Sequence, residues 1–234
     1  MSALRLPGFD IHPMIQDPAI IQSFVSFLSG RDFPCLAARS AIVRKQVRCA
    51  VFTHMACPAD DADILHFLYD FIMRFRASGN PYHSAAVIFR GPATDEEQFE
   101  ALLWTRLQAI SDLDAENFGY DPRVKSDPSS PAFSFSLMEE ALYVIGMHPG
   151  SSRRARRFAY PALVFNPHHQ FELLREKGQY EKMQEVVRKR DMVWSGSVNP
   201  MLADFGVTSE AMQYSGRLYE STWQCPFKPS HGSI

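Results

Sequence analysis

Three stretches of the 234-residue chain bring together residue types that do chemistry. The first is Phe33-Pro34-Cys35. Pro34 fixes its own φ and pushes Phe33 toward an extended conformation, so the thiol that follows has a defined direction. Leu36-Ala37-Ala38 then sets small apolar side chains where a flat ligand can lie. A cysteine thiolate so placed can hold a haem iron and favour O–O cleavage. The same residues also suit an inert thiol in a tight turn, the commoner role of free cysteine.

The second stretch is His148-Pro149-Gly150-Ser151-Ser152-Arg153-Arg154-Ala155-Arg156-Arg157-Phe158. It follows an apolar run, so His148 stands at a strand end. The serines and the main chain at Gly150 offer hydrogen bonds, and the four arginines offer forked donors for carboxylate or phosphate. A solvated basic turn accounts for the same cluster. The third stretch is Val164-Phe165-Asn166-Pro167-His168-His169-Gln170-Phe171-Glu172. Neighbours on a helix diverge by about 100°, so at most one of His168 and His169 reaches a given site. Asn166 reads as a helix cap. Asn199-Pro200 and Gln213-Tyr214-Ser215-Gly216-Arg217 read as an ordered loop closing over something, or as tail packing.

Familiar catalytic spacings are missing. HExxH, GxGxxG after a strand, GxxxxGK[ST] and GxSxG do not occur, so zincin, dinucleotide, P-loop and nucleophile-elbow chemistries have no support. Cys35, Cys49, Cys57 and Cys225 form no CxxC pair and read as thiols rather than bridges. Cys57-Pro58 and Cys225-Pro226 are inert thiols by default.

The elements that must position these groups follow from periodicity. Residues 1–17 read as an N-terminal arm. Asp17-Pro18 starts a helix carrying Ile20, Ile21, Phe24, Val25 and Leu28, which Gly30 stops. Residues 31–40 read as turn-rich and 47–54 as a strand. A wide apolar stripe over 61–77 makes the clearest helix, with Asp60 or Asp61 as cap and Gly79 as stop. A strand at 84–89 precedes a helix opened by Thr94 with Glu97 in a capping box. Residues 117–131 form a long loop, of the kind that serves as a lid or a surface excursion. Residues 132–147 read as a hairpin turning near Glu139-Glu140. A strand at 162–165, a helix to Lys177 broken at Gly178, and helix to about Arg190 complete the pattern. The expectation is α+β: a single domain over 18–220, with a mixed or mainly antiparallel sheet flanked by helices, and a C-terminal tail at 221–234.

Composition bounds the function. Hydrophobic residues make up 46% and charged residues 21%, as in an ordinary globular protein, and 18 Phe, 8 Tyr and 3 Trp supply a large core. A net charge of -2 argues against a dedicated nucleic-acid binder. No run approaches the roughly 18 apolar residues of a membrane helix, and the first 17 residues lack a secretory signal's apolar segment. The expectation is a cytoplasmic protein.

Taken together, the segments resemble the YqcI/YcgG family. The resemblance rests on Asp32-Phe33-Pro34-Cys35, His148 through Phe158, Leu163-Val164-Phe165-Asn166 with Gln170-Phe171-Glu172, Asn199-Pro200-Met201-Leu202, Ser209-Glu210-Ala211 and Gln213 through Arg217. It spans residues 30–217. Characterised relatives are haem-dependent N-oxygenases, so the resemblance implies haem b and an O2-dependent hydroxylation of a nitrogen on a small amine or guanidine. An electron donor is implied as partner. Cys35 is the expected axial ligand, with Phe33 beside it and His148 as the alternative ligand or a proton donor to bound dioxygen. Arg153, Arg156 and Arg157 are expected at the propionates. Glu139, Glu140, Glu172, Asp204 and Glu210 are available to a cationic substrate. Two other readings stand beside this one: a haem sensor or carrier without turnover, and a non-haem module whose arginines bind an anionic metabolite.

Overall fold

The structure, a computed structural model, describes residues 17–31, 33–80, 82–195, 206–220 and 222–231. Asp32, Asn199 through Leu202, Asp204 and almost all of the N-terminal arm lie outside the described residues. The elements run α1 (Pro18–Ser29), α2 (Leu36–Val43), β1 (Val47–Phe52), α3 (Asp61–Ser78), β2 (Ser84–Phe89), α4 (Glu96–Ala115), β3 (Phe135–Leu137), β4 (Glu140–Met147), β5 (Ala162–Pro167), α5 (His169–Glu176), α6 (Tyr180–Ser195) and α7 (Ala211–Tyr214). The five strands form one mixed sheet in the order β1-β2-β5-β4-β3. β1 and β2 are parallel, joined through α3, and the remaining pairs are antiparallel. This is the α+β architecture the sequence pattern implies.

Strand alternation divides the core into two layers. Val87 and Phe89 of β2, Leu163 and Phe165 of β5, and Leu142 and Val144 of β4 face the larger layer, against α3 and α4. Ala86, Ile88, Ala162, Val164 and Met147 face the smaller layer, against α1. The hairpin turns at Met138 and Glu139, both with positive φ, which matches the twist of a two-residue loop. Gly146 admits α4 closely: a Cβ there would lie 2.6 Å from the Phe99 ring and 2.9 Å from Leu103.

Several local expectations are corrected. Residues 36–43 are helical, because Leu36, Ala37 and Ala38 are strong helix formers and the Cys35 Sγ accepts the N–H of Ala38 as a cap. The cap of α4 is Asp95, whose carboxylate accepts the N–H of Gln98, rather than Thr94. Asn166 and Pro167 belong to β5, paired with Tyr143 and Leu142, so Asn166 is no cap and α5 starts at His169. Residues 117–131 are pinned rather than free. Asp121 binds Arg123 and the N–H of Ala141, and Arg123 also reaches Glu140. The C-terminal tail packs on α4, where Phe227 is buried, Trp223 donates to Glu100 and His231 lies 2.9 Å from Asp114.

Candidate functional site

The smaller layer is incomplete, and the gap is a cavity of about 260 Å³. Its floor is the β-sheet face carrying Ser84, Tyr143, Ile145, Met147, Val164 and Asn166. α1 and the Phe33-Pro34-Cys35 step line one part of it, and α5 and α6 another. Arg153, Ala155 and Arg156 enter from the turn after β4, and Glu210 and Gln213 from the segment at α7.

Cys35 is among the residues that line this cavity. Its side chain faces the cavity at the start of α2, beside the buried Phe33. Burial pushes the thiol pKa up, while the main-chain N–H groups of Ala38 and Ala37 pull it down by favouring the thiolate. A cation bound at the sulfur would tip that balance to the thiolate outright. All four cysteines are free.

Arg153 and Arg156 also reach the cavity. Arg153 is held by Asp191 of α6. Arg156 is buried and donates to the main-chain carbonyls of Tyr214 at 2.8 Å and Gly146 at 3.4 Å. No described carboxylate forms an ion pair with it, and burial lowers its pKa. A buried guanidinium satisfied only by carbonyls favours an anionic group beside it. Arg157 is exposed and donates instead to the carbonyls of Ser151 and Ser152, so it braces the turn and does not line the cavity.

His148 is not brought to Cys35. The row Leu142, Val144, Gly146 faces α4, and His148 continues that row on the far side of the sheet. Its ring stacks on Phe99, with centroids 4.3 Å apart, and is absent from the cavity wall. The histidine that does reach the cavity is His168, at the end of β5. His169 points elsewhere, with Nδ1 3.1 Å from Glu172.

Of the four described carboxylates named for a cationic group, Glu139, Glu140, Glu172 and Glu210, one lines the cavity. Glu210 lines the cavity, buried, with the Tyr214 hydroxyl at 3.3 Å and His168 Nε2 at 3.4 Å. Glu140 is taken by Arg76 and Arg123. Glu139 sits in the hairpin turn, and Glu172 lies outside the cavity wall. Tyr143, Asn166 and Gln213 complete the polar part: the Tyr143 hydroxyl donates to Gln213 at 2.8 Å, and Asn166 accepts from Ser84 at 2.7 Å. The Gln170 Oε1 is buried without a hydrogen-bond partner. Tyr143 lines the same cavity as Arg156, Glu210 and Cys35. Tyr143 escaped the sequence reading, although its place in an apolar strand at the period of Ile145 and Met147 is a usable signal.

A mixed sheet with one face packed by α3 and α4, and the other lining a cavity with a thiol, a buried arginine and a buried carboxylate, defines an α+β protein. The chain belongs to the YqcI/YcgG family, whose model matches residues 24–228. It is 29% identical over 206 residues to the uncharacterized protein YqcI of Bacillus subtilis (strain 168), covering 83% of this chain and 80% of that one. No solved structure matches. No helix among the described residues is long and apolar enough to cross a membrane.

Proposed function

We propose that this chain is a cytoplasmic haem-dependent monooxygenase that hydroxylates a nitrogen of a small amine or guanidine, drawing electrons from a separate donor. The observation that carries the reading is the cavity shared by Cys35, Arg156 and Glu210. A single sulfur donor suits a porphyrin, which brings four iron ligands of its own. No group of three or more His, Cys, Asp or Glu among the described residues is arranged to hold a bare ion. The four free thiols accord with a reducing compartment.

The residues fit the group. Cys35 would hold the iron, the small side chains of Ala37 and Ala38 leave room against a ring face, and Arg156 with Arg153 would take the propionates. When bound, such a haem supplies reductive activation of dioxygen, with the thiolate favouring O–O cleavage. Glu210 would orient a protonated amine or guanidinium, and the Gln170 carbonyl offers a further acceptor for a substrate N–H. The apolar floor excludes water and strengthens those polar contacts.

Size favours a second reading. About 260 Å³ is below the usual range of small-molecule pockets, roughly 300–1,000 Å³. A porphyrin requires a wider cavity than this, whereas a small anionic metabolite on Arg156 does not. The deciding experiment is the visible spectrum of protein expressed with haem supply. The oxygenase reading expects a Soret band, a thiolate-type ferrous–CO band, and oxygen consumption stimulated by an amine. A preparation that stays colourless after reconstitution, yet is stabilised by a small carboxylate, establishes the second reading.

A further inference from the structure

His168 bridges Glu172 to Glu210, the carboxylate that the proposed substrate would meet. Its main-chain N–H donates to Ala141 at 2.7 Å, which fixes the residue where β5 gives way to α5. Its ring packs edge-on against Phe171, centroids 6.4 Å apart. The two ring nitrogens then face two different carboxylates. Nδ1 lies 3.6 Å from Glu172, whose side chain is 37% exposed, and Nε2 lies 3.4 Å from Glu210, whose side chain is 5% exposed. The imidazole itself is buried. A water-accessible acid, a buried imidazole and a cavity-lining acid thus stand in series.

We propose that Glu172, His168 and Glu210 form a proton relay from solvent into the cavity. Its purpose rests on the oxygenase reading, because reducing dioxygen consumes protons as well as electrons; its geometry does not. Glu172 takes a proton from water and passes it to Nδ1. The proton on Nε2 moves to Glu210, and the ring resets by exchanging tautomers. The net change is one proton carried from solvent to the cavity, with no electron moved. Each transfer needs only a small approach from the resting separations, since relay hydrogen bonds tighten in the reacting complex. The ring of His169 competes for Glu172 from the solvent side, holding its other oxygen at 3.1 Å and so leaving the first one turned to His168.

The test uses Glu172→Gln, which keeps shape and removes proton capacity at a half-exposed position, and His168→Gln as the second variant. The first readout is exchange of the His168 ring N–H protons with water, followed by NMR in the ligand-free chain. Glu172→Gln is expected to slow it on the order of a hundredfold or more. The second is the fraction of consumed oxygen released as hydrogen peroxide by the haem-loaded chain, expected to rise in both variants while the Soret band is retained. Unchanged ring exchange in Glu172→Gln overturns the relay. A wild-type chain that takes up no haem overturns the oxygenase reading, and ring exchange still decides the relay.

Discussion

Asp191 of α6 and Arg153 of the turn after β4 form an ion pair whose side chains are 12% and 10% exposed. The pair fastens the outer wall of the cavity to the body of the protein. Arg190 adds a second tie by donating to the carbonyls of Arg31 and Phe33. Replacing Asp191 by Asn removes the charge that Arg153 is set against. Because both side chains are largely buried, the expected loss is about 3–5 kcal/mol. A lowered urea midpoint and faster proteolytic cutting within α6 would show it. Unaltered cutting would mean that α6 is held by its apolar face alone.

The two roles of Cys35, cap and iron ligand, separate by substitution. Serine keeps a side-chain acceptor for Ala38, so Cys35→Ser should change stability by no more than ~0.5 kcal/mol, whereas Cys35→Ala should cost about 0.5–2 kcal/mol. Both should abolish the thiolate-type ferrous–CO band. Retention of that band in Cys35→Ser excludes Cys35 as the ligand.

The stacking of His148 on Phe99 predicts a pH dependence of folding rather than of catalysis. Burial lowers the His148 pKa, so the folded state binds its proton less readily than the unfolded chain, whose histidine titrates near 6.5. The unfolded state therefore binds more protons between that value and the lower folded one. Stability is full above pH 6.5 and falls as pH drops through the window. His83, also lowered by burial, adds to the same slope. His148→Phe should flatten the slope in urea midpoints taken from pH 7.5 to 5, and should leave haem ligation intact. Loss of the Soret band in this variant would return His148 to the site.

Gly216 has φ +86°, and a Cβ there would lie 2.5 Å from Cδ of Arg156. Gly216→Ala combines backbone strain with a push on the buried guanidinium. An expected cost of about 1–3 kcal/mol should accompany weaker haem or anion binding, read as a larger Kd in spectral titration. Arg156→Gln should weaken that binding while leaving the Cys35 ligand in place. Equal affinity in both variants would detach Arg156 from the ligand.

Much of the architecture was legible because it rests on local periodicity. The apolar stripe of α3, the strand at Ser84–Phe89 and the Met138-Glu139 turn needed only side-chain spacing and turn chemistry. What failed was read from one strong local signal against a tertiary one. Asn166-Pro167 has the look of a helix start, yet the partners Tyr143 and Leu142 hold it in the sheet. The apolar run before His148 sets it at a strand end but does not by itself name its face. Counting by twos from the buried Leu142 and Val144 puts it opposite Met147, and so away from the thiol. The meeting of Cys35, Arg156 and Glu210 depends on long-range packing between three segments distant in the chain, which no spacing encodes.

The unequal thickness of the two hydrophobic layers has a kinetic corollary. Most large aromatic groups lie on the α3–α4 side, so that half can persist while the helices opposite loosen as a group. Bulky guests would then gain ingress through brief partial melting of one flank, with Gly178 as the pivot between α5 and α6, and the molecule would need no permanent doorway.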